Sequence, residues 1–433
     1  MGPEQFEPVE EAPQQVRCTV CGAVFDASLD TCPVCGVGRD QFEPVGEAAK
    51  SNFRHDTKEI FMILGGGTAA LSAAKAIRER NRTATIVLVS DEEALPYNRP
   101  MLTKALTAGE LGDNLAIEAA DWYDANNVYP MLGRRVVEID PKAKEVRLEG
   151  GIRLAYDKLI YALGARCFIP PFPGGSLEGV YAIRGIEDAR KVRAAVRDGG
   201  KAAVIGGGVL GLEAAWSLRQ AGMEVTVIET APKLMAGKLD DEASALLTRI
   251  AEEAGVRILA NAKVERIEGE TKAEAVSLAD GTRVAADFVV VSCGIRANTA
   301  VADTAGLAIG RAVRVDAHMR SSASGVFACG DCAEYEGMNY GIWPEATQQG
   351  EIAGANAAGE ALSYKPEIPA LTMNALNTSL YSIGAIGQAD RTEGGAEGDN
   401  LKKFFYKDGA LVGAILIGDI SALVEVRNAV LNG

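Results

Sequence analysis

The chain has 433 residues, room for several domains at roughly 100–200 residues each, and its 48% hydrophobic and 24% charged content excludes extended disorder. Its 59 Asp and Glu outweigh 44 Lys and Arg, for a net charge of −15. That balance argues against duplex nucleic acid or an anionic membrane as a partner, because their phosphates demand a basic face. The histidines, His55 and His318, leave little room for a His-based triad or a His-rich metal centre.

The residues before Val16 are acidic and Pro-rich, with neither the basic nor the apolar region of a secretion signal. The longest apolar stretch, Ile60 to Ile77, is broken by Gly65-Gly66-Gly67 and Lys75, so it reads as strand, turn and helix rather than a membrane span. The expected setting is the cytoplasm, where close Cys pairs serve metal or redox chemistry rather than disulfides.

Four of the eight cysteines form two Cys-x-x-Cys pairs near the N-terminus, Cys18/Cys21 and Cys32/Cys35. Each pair is followed by a glycine, Gly22 or Gly36, that allows the tight turn of a metal knuckle. Four thiolates so spaced can converge on one tetrahedral ion, and a block of this size needs the metal because it holds little core. Sulfur ligation alone suits iron and zinc equally. The block also resembles a rubredoxin domain, with Phe25 after the first pair, Pro33 inside the second and a trailing Phe42. The resemblance implies iron held by Cys18, Cys21, Cys32 and Cys35. The short insert between the pairs matches rubredoxin-like domains attached to larger redox proteins, and it also fits a structural zinc ribbon. We read 14–45 as this metal domain and 46–56 as a linker in which His55 is solvated.

An apolar strand ending at Leu64 runs into Gly65-Gly66-Gly67, a helix to Arg80, and a second strand ending near Asp91-Glu92. This is a dinucleotide fingerprint in its strand–turn–helix–strand setting. Gly65 makes the turn, Gly67 lets backbone approach a pyrophosphate, Ala70 permits close packing, and Glu92 is placed to bind a ribose. The pattern returns at Lys201–Ile205, with Gly206, Gly208 and Gly211 in the same roles and Glu229 at the ribose-reading position. A carboxylate there favours a free 2′-hydroxyl, hence NADH over NADPH. Two units imply two dinucleotides, a flavin and a nicotinamide cofactor.

Over residues 58–433 the chain resembles the two-dinucleotide flavoproteins of the glutathione reductase superfamily, most closely NADH:rubredoxin oxidoreductases and related ferredoxin reductases. Pro96-Tyr97-Asn98-Arg99-Pro100 with Lys104 is similar to the family's flavin loop. Val136 matches the strand at the adenine, and Ala162-Leu163-Gly164 stands where the family has Ala-Thr-Gly. Cys329-Gly330-Asp331 matches the second flavin motif, continued by Trp343. Gly294 sits on the return crossover beside the nicotinamide. The resemblance implies that Lys104 and Glu213 pair beside the flavin, where a cation stabilises the reduced form. It implies an α/β fold with two Rossmann-like dinucleotide-binding domains, for FAD and NAD, a small α+β C-terminal domain and the N-terminal rubredoxin-like knuckle. The boundaries are 57–168 and 296–365 for the FAD domain, 169–295 for the NAD domain and 366–433 for the C-terminal domain.

No cysteine lies between Leu95 and Tyr161, where the superfamily's disulfide reductases and peroxidases carry theirs. The chemistry expected is therefore electron transfer from NADH through FAD to the metal knuckle and on to an external redox protein. The rival is an NADH oxidase or ferredoxin-type reductase whose knuckle is a zinc-stabilised docking module. Cys167 and Cys293 are expected to be small buried residues, and Cys329 and Cys332 bystanders within the flavin motif. Asp408-Gly409 between alternating apolar runs predicts a hairpin, and a helix over Ile420–Leu431 closes the chain. The resemblance further implies that this C-terminal domain covers the flavin domain and, in some relatives, supports a homodimer.

Overall fold

The computed structural model describes residues 15–18, 24–32, 37–44, 52–107 and 111–432. Cys21, Cys35 and most of the expected linker lie outside them.

Two five-stranded parallel sheets carry the centre of the molecule. In the first the strand order is Val326–Ala328, Lys158–Tyr161, Ile60–Leu64, Thr85–Val89, Val128–Met131. The second runs Val180–Tyr181, Phe288–Val291, Lys201–Ile205, Glu224–Ile228, Val256–Leu259. Both are buried on two faces, which is why their strands read as continuous apolar runs such as Phe61-Met-Ile-Leu64 and Phe288-Val-Val-Val291. In each sheet a glycine loop follows the central strand, and the helix after it, Thr68–Arg80 or Val209–Gln220, packs back on the sheet. The two units exchange chain through an antiparallel ribbon, Ala165–Cys167 against Ile295–Ala297. Expected and observed boundaries of these elements agree to within two residues.

The first glycine-loop helix makes its most extensive contact with the helix Trp343–Ala357. Gly350 and Gly354 explain it: a Cβ on either would sit 2.2 or 2.3 Å from the carbonyl oxygens of Ala69 and Ala73. Close approach here is helix on helix, and Ala70 is fully buried in the core shared with the strands.

The C-terminal domain is a five-stranded antiparallel sheet in the order Ala370–Ala375, Thr378–Gly384, Ala410–Ile417, Asn400–Lys407, Arg391–Glu397. Asp408 and Gly409, both at positive φ, make the expected two-residue turn. Because side chains alternate across a strand, this sheet has two distinct apolar faces. Leu380, Leu401, Phe405, Ile415 and Ile417 join the core of the second nucleotide unit, together with Leu102 and Leu106. The C-terminal domain was expected to cover the first nucleotide unit; the structure corrects this, since its inner face packs on helices of the second unit. On the outer face Tyr381, Ile383, Phe404, Ala414 and Leu416 share a core with the closing helix Leu423–Asn432 and with Val16, Cys18, Phe25, Cys32 and Val37 of the N-terminal knuckle.

The knuckle is a three-stranded antiparallel sheet, Val24–Asp26, Gln15–Cys18, Phe42–Pro44. Its Phe25 and Phe42 rings meet edge to face at 4.8 Å. His55 is exposed as expected, yet its Nδ1 lies 3.2 Å from the Ala358 carbonyl and its N–H donates to the Arg80 carbonyl at 2.9 Å, so the end of the linker is pinned to the first unit. Among the described residues no helix is long and apolar enough to cross a membrane.

Candidate functional site

In the first cleft Gly65 has φ +131°, and a Cβ there would lie 2.1 Å from the Ala162 oxygen. Only glycine closes this turn. Gly67 is the opposite case, with nothing within 4 Å of its would-be Cβ, which leaves space for a ligand at the head of the helix. Glu92 ends the second strand's loop and is held from two sides. It accepts from the Tyr97 hydroxyl at 2.6 Å and from Arg99 Nη2 at 2.7 Å. Burial works against the Arg99 charge, but Glu92, Tyr97 and Asp331 together outweigh it and the guanidinium pKa is raised. Arg99 also donates to the Arg184 carbonyl, and the Arg184 guanidinium pairs with Asp331 at 2.6 Å. Pro100 precedes the short helix Met101–Lys104, Val136 is buried at the start of its strand, and Ala162 and Gly164 follow the end of another, Lys158–Tyr161. Trp343 opens the helix that packs on Thr68–Arg80, with Thr68 and Thr347 hydroxyls 2.9 Å apart at their joint.

The second cleft repeats the plan. Gly206, at φ +115°, would place a Cβ 2.2 Å from the Ser292 oxygen, and Gly211 one 2.0 Å from the Gly206 oxygen, whereas Gly208 and Gly294 face open space. The Glu229 carboxylate accepts from the N–H groups of Gly207 and Ala231, each at 2.7 Å, so it locks the loop it overlooks. Lys233 pairs with Asp241 at 2.6 Å rather than with Glu229.

The helix Met101–Lys104 meets the helix of the second glycine loop through an ion pair of a half-buried lysine and a buried glutamate. Lys104 Nζ donates to Glu213 Oε1, and the Thr103 hydroxyl donates to Oε2 at 2.7 Å. Ser217, one turn along the same helix as Glu213, donates to the Thr103 carbonyl at 2.7 Å. The pair therefore clamps the helix Met101–Lys104 to the second nucleotide unit.

The residues present fit a dinucleotide in each cleft. Gly67 and Gly208 leave open cradles before uncapped helix N-termini, whose free N–H groups suit phosphate. Asn98 Oδ1, in the flavin loop, is buried with no hydrogen-bond partner among the described residues. In the knuckle, Cys18 and Cys32 are 0% and 1% exposed, and four thiolates would suit iron or zinc. Among the described residues no cluster of three metal-ligating side chains occurs.

The remaining thiols are held inert. Burial raises Cys329 well above the ordinary thiol range and pushes Cys332 up to about 12. Cys167 and Cys293 were expected to be buried; both are half-buried, with sulfurs directed at the Ile183 and Ile205 carbonyls. Arg184 escaped the sequence reading because it stands in no motif. Its turn is fixed by Asp188, whose carboxylate accepts the N–H groups of Arg184 and Gly185 at 3.0 and 2.9 Å. Thr103 and Ser217 escaped because each acts only across the tertiary interface.

The family described as pyridine nucleotide-disulphide oxidoreductase matches residues 60–350. Residues 369–433 match the rubredoxin NAD+ reductase C-terminal domain, and 17–43 the rubrerythrin rubredoxin-like domain. The chain is 32% identical over 84% of its length to an assimilatory nitrate reductase electron transfer subunit of Bacillus subtilis, of which it spans only 48%. It thus spans about half the length of the first curated relatives it matches. It is 29% identical to an NADH-rubredoxin oxidoreductase of Clostridium acetobutylicum, over 85% of this chain and 93% of that one. The fold superposes on the covalent putidaredoxin reductase–putidaredoxin complex with a TM-score of 0.80 at 26% identity, over 87% of this chain and 94% of that one. With two glycine-loop units in sequence and space and a family match over most of its length, the chain belongs to the pyridine nucleotide-disulphide oxidoreductase family.

Proposed function

We propose that the chain is an NADH-dependent flavoprotein that moves electrons from NADH through FAD to a rubredoxin-type iron centre on its own knuckle, and from there to an external redox protein. The observation that carries this reading is the ion pair Lys104–Glu213 joining two glycine-loop units in a chain with no cysteine between Leu95 and Tyr161. When bound, FAD supplies the step between two-electron hydride chemistry and one-electron transfer. The chain's own residues bind and orient. Gly65 makes the turn and Gly67 admits the pyrophosphate, Ala70 lets the helix pack close behind them, Glu92 takes the ribose, and Asp331 the ribityl chain. Arg99, Pro100, Val136, Ala162, Gly164 and Trp343 line the remainder. Arg184, between Arg99 and Asp331, adds positive charge toward the phosphates. Lys104 places a cation where the reduced flavin gathers negative charge, and Glu213 orients it.

On the other side Gly206, Gly208, Gly211 and Gly294 admit the nicotinamide cofactor, and Glu229 disfavours a 2′-phosphate through like-charge repulsion. No general base is required. Cys18, Cys21, Cys32 and Cys35 hold iron, a reading supported by the rubredoxin-like match and by fusion to a reductase of this kind. The test is metal content together with steady-state oxidation of NADH and NADPH by ferricyanide. One iron per chain and a preference for NADH are expected. Stoichiometric zinc would leave a reductase with a docking module instead.

A further inference from the structure

We propose that Gln349 is a positioning residue of the first cleft: its side-chain amide holds the Gly330 N–H, fixes the turn that presents Asp331, and is itself braced by Tyr364 and Glu345. That this turn serves FAD rests on the function proposed above; the anchoring of Gly330 does not.

Gly330 opens the short 3-10 turn Gly330–Cys332 at φ +75°, wedged between two helices. A Cβ on it would lie 2.9 Å from the Ala69 Cβ and 3.6 Å from that of Ala346. Its N–H is buried in this wedge and donates to Gln349 Oε1 at 2.9 Å. An N–H buried so deeply is costly to leave unpaired, which makes the acceptor matter more than an exposed one would. Asp331 follows directly. Its carboxylate pairs with Arg184 at 2.6 Å, and its carbonyl accepts from Asn339 Nδ2 at 3.1 Å. Asn339 thus holds the Asp331 backbone from one side, and Gln349 holds it from the other through Gly330.

Gln349 is held in turn. It is 3% exposed, and the neighbouring Gly350 lies against the Ala69 carbonyl, so the helix Trp343–Ala357 has no room to slide. Glu345 stands one turn earlier on the same face of that helix. The Tyr364 hydroxyl joins the two: it donates to Glu345 Oε2 and accepts from the Gln349 amide. With Nε2 given to Tyr364, Oε1 is the end of the amide left to face Gly330. The other Glu345 oxygen accepts the Glu367 N–H at 3.2 Å, and the Tyr364 ring meets Tyr335 edge to face at 5.3 Å. Glu345 and Tyr364 are 5% and 2% exposed, so water does not compete for these bonds.

The test titrates FAD into the full chain stripped of flavin, with ADP as a competitor that fills the same cleft but lacks the ribityl chain. Gln349→Met keeps the length of the side chain and removes the acceptor. Tyr364→Phe keeps the ring and removes the hydroxyl, so loss of folding in one variant leaves the other to decide. Backbone hydrogen exchange in the segment holding Gly330 is expected to rise about tenfold in Q349M and about threefold in Y364F. The FAD dissociation constant is expected to rise by the same factors. The inhibition constant of ADP is expected to stay at the parent value, because Gly65, Gly67 and Glu92 serve that half of the cofactor. Asp331→Asn completes a cycle: adding Q349M to D331N is expected to weaken FAD by less than about twofold further, since the two act through one turn. Unchanged exchange at Gly330 in Q349M would overturn the anchor, and unchanged exchange in Y364F the brace. Equal weakening of FAD and ADP, or a full tenfold loss on top of D331N, would overturn positioning through Asp331 and leave a general packing role. FAD affinity unchanged in D331N, with exchange at Gly330 still raised in Q349M, would overturn the assignment of Asp331 to FAD and leave the anchor standing.

Discussion

Replacing Glu213 with Gln is the sharpest perturbation of the junction between the clefts. The side chain keeps its shape and still accepts the Thr103 hydroxyl, but Lys104 loses its counter-charge. Glu213 is 5% exposed and Lys104 16%. Removing one partner of a buried pair costs about 3–5 kcal/mol, because the other charge stays uncompensated. Lys104 keeps some access to water, so the expected loss is near the lower bound, about 3 kcal/mol. The assay is urea unfolding of the FAD-loaded chain, read as a midpoint shift at unchanged slope. A control separates charge from packing. Lys104→Met with Glu213→Leu replaces the pair by apolar groups of similar volume and is expected to return to within about 1 kcal/mol of the parent. That double variant nonetheless lacks the cation and should reduce acceptors poorly. A loss below about 1 kcal/mol in E213Q, or a double variant less stable than the single, would refute the electrostatic account of this clamp.

Gly354→Ala sets helix propensity against packing. Propensity alone favours alanine by about 1 kcal/mol, but the new Cβ would meet the Ala73 oxygen at 2.3 Å. Overpacking of about 1–3 kcal/mol or more wins, so thermal unfolding should come earlier and FAD should dissociate more readily; a stabilised variant would contradict the close helix contact. Glu229→Ala should cut the kcat/KM preference for NADH over NADPH by about tenfold, equivalent to 1.4 kcal/mol, and an unchanged ratio would remove Glu229 from cofactor selection. Burial raises Glu345 above the usual glutamate range despite the hydrogen bond it accepts from Tyr364. An acid with a raised folded-state pKa holds its proton more tightly folded than unfolded. Stability therefore falls as pH climbs from about 4.3 through that raised value. Glu345→Gln should flatten this slope in a plot of Tm against pH, and parallel slopes would show that Glu345 is not its source.

The two glycine loops were legible because their chemistry is local. A strand, a turn that only glycine closes and a helix follow one another in the sequence, and the structure closes Gly65 and Gly206 against Ala162 and Ser292. The Asp408-Gly409 hairpin was legible for the same reason. The Lys104–Glu213 pair spans 109 residues, so resemblance rather than spacing pointed to it. Arg184–Asp331 spans 147, and no local pattern marks it. The closing helix begins at Leu423 rather than Ile420 because Asp419 accepts the Ser421 N–H at 3.0 Å, holding residues 419–422 in a turn. Alternation in the last strands announced a hairpin but could not say that both of its faces would be covered. The small residues of Trp343–Ala357 likewise gave no sign that Ala69 and Ala73 would come so near.

The central claim is that electrons from NADH end on the knuckle of this chain. Stopped-flow mixing of the oxidised, metal-loaded protein with NADH under anaerobic conditions tests it most directly. The account predicts loss of flavin absorbance first, followed by bleaching of an iron–thiolate band, with two iron centres reduced per NADH. A flavin that is reduced while a stoichiometric zinc knuckle shows no band to bleach would contradict it.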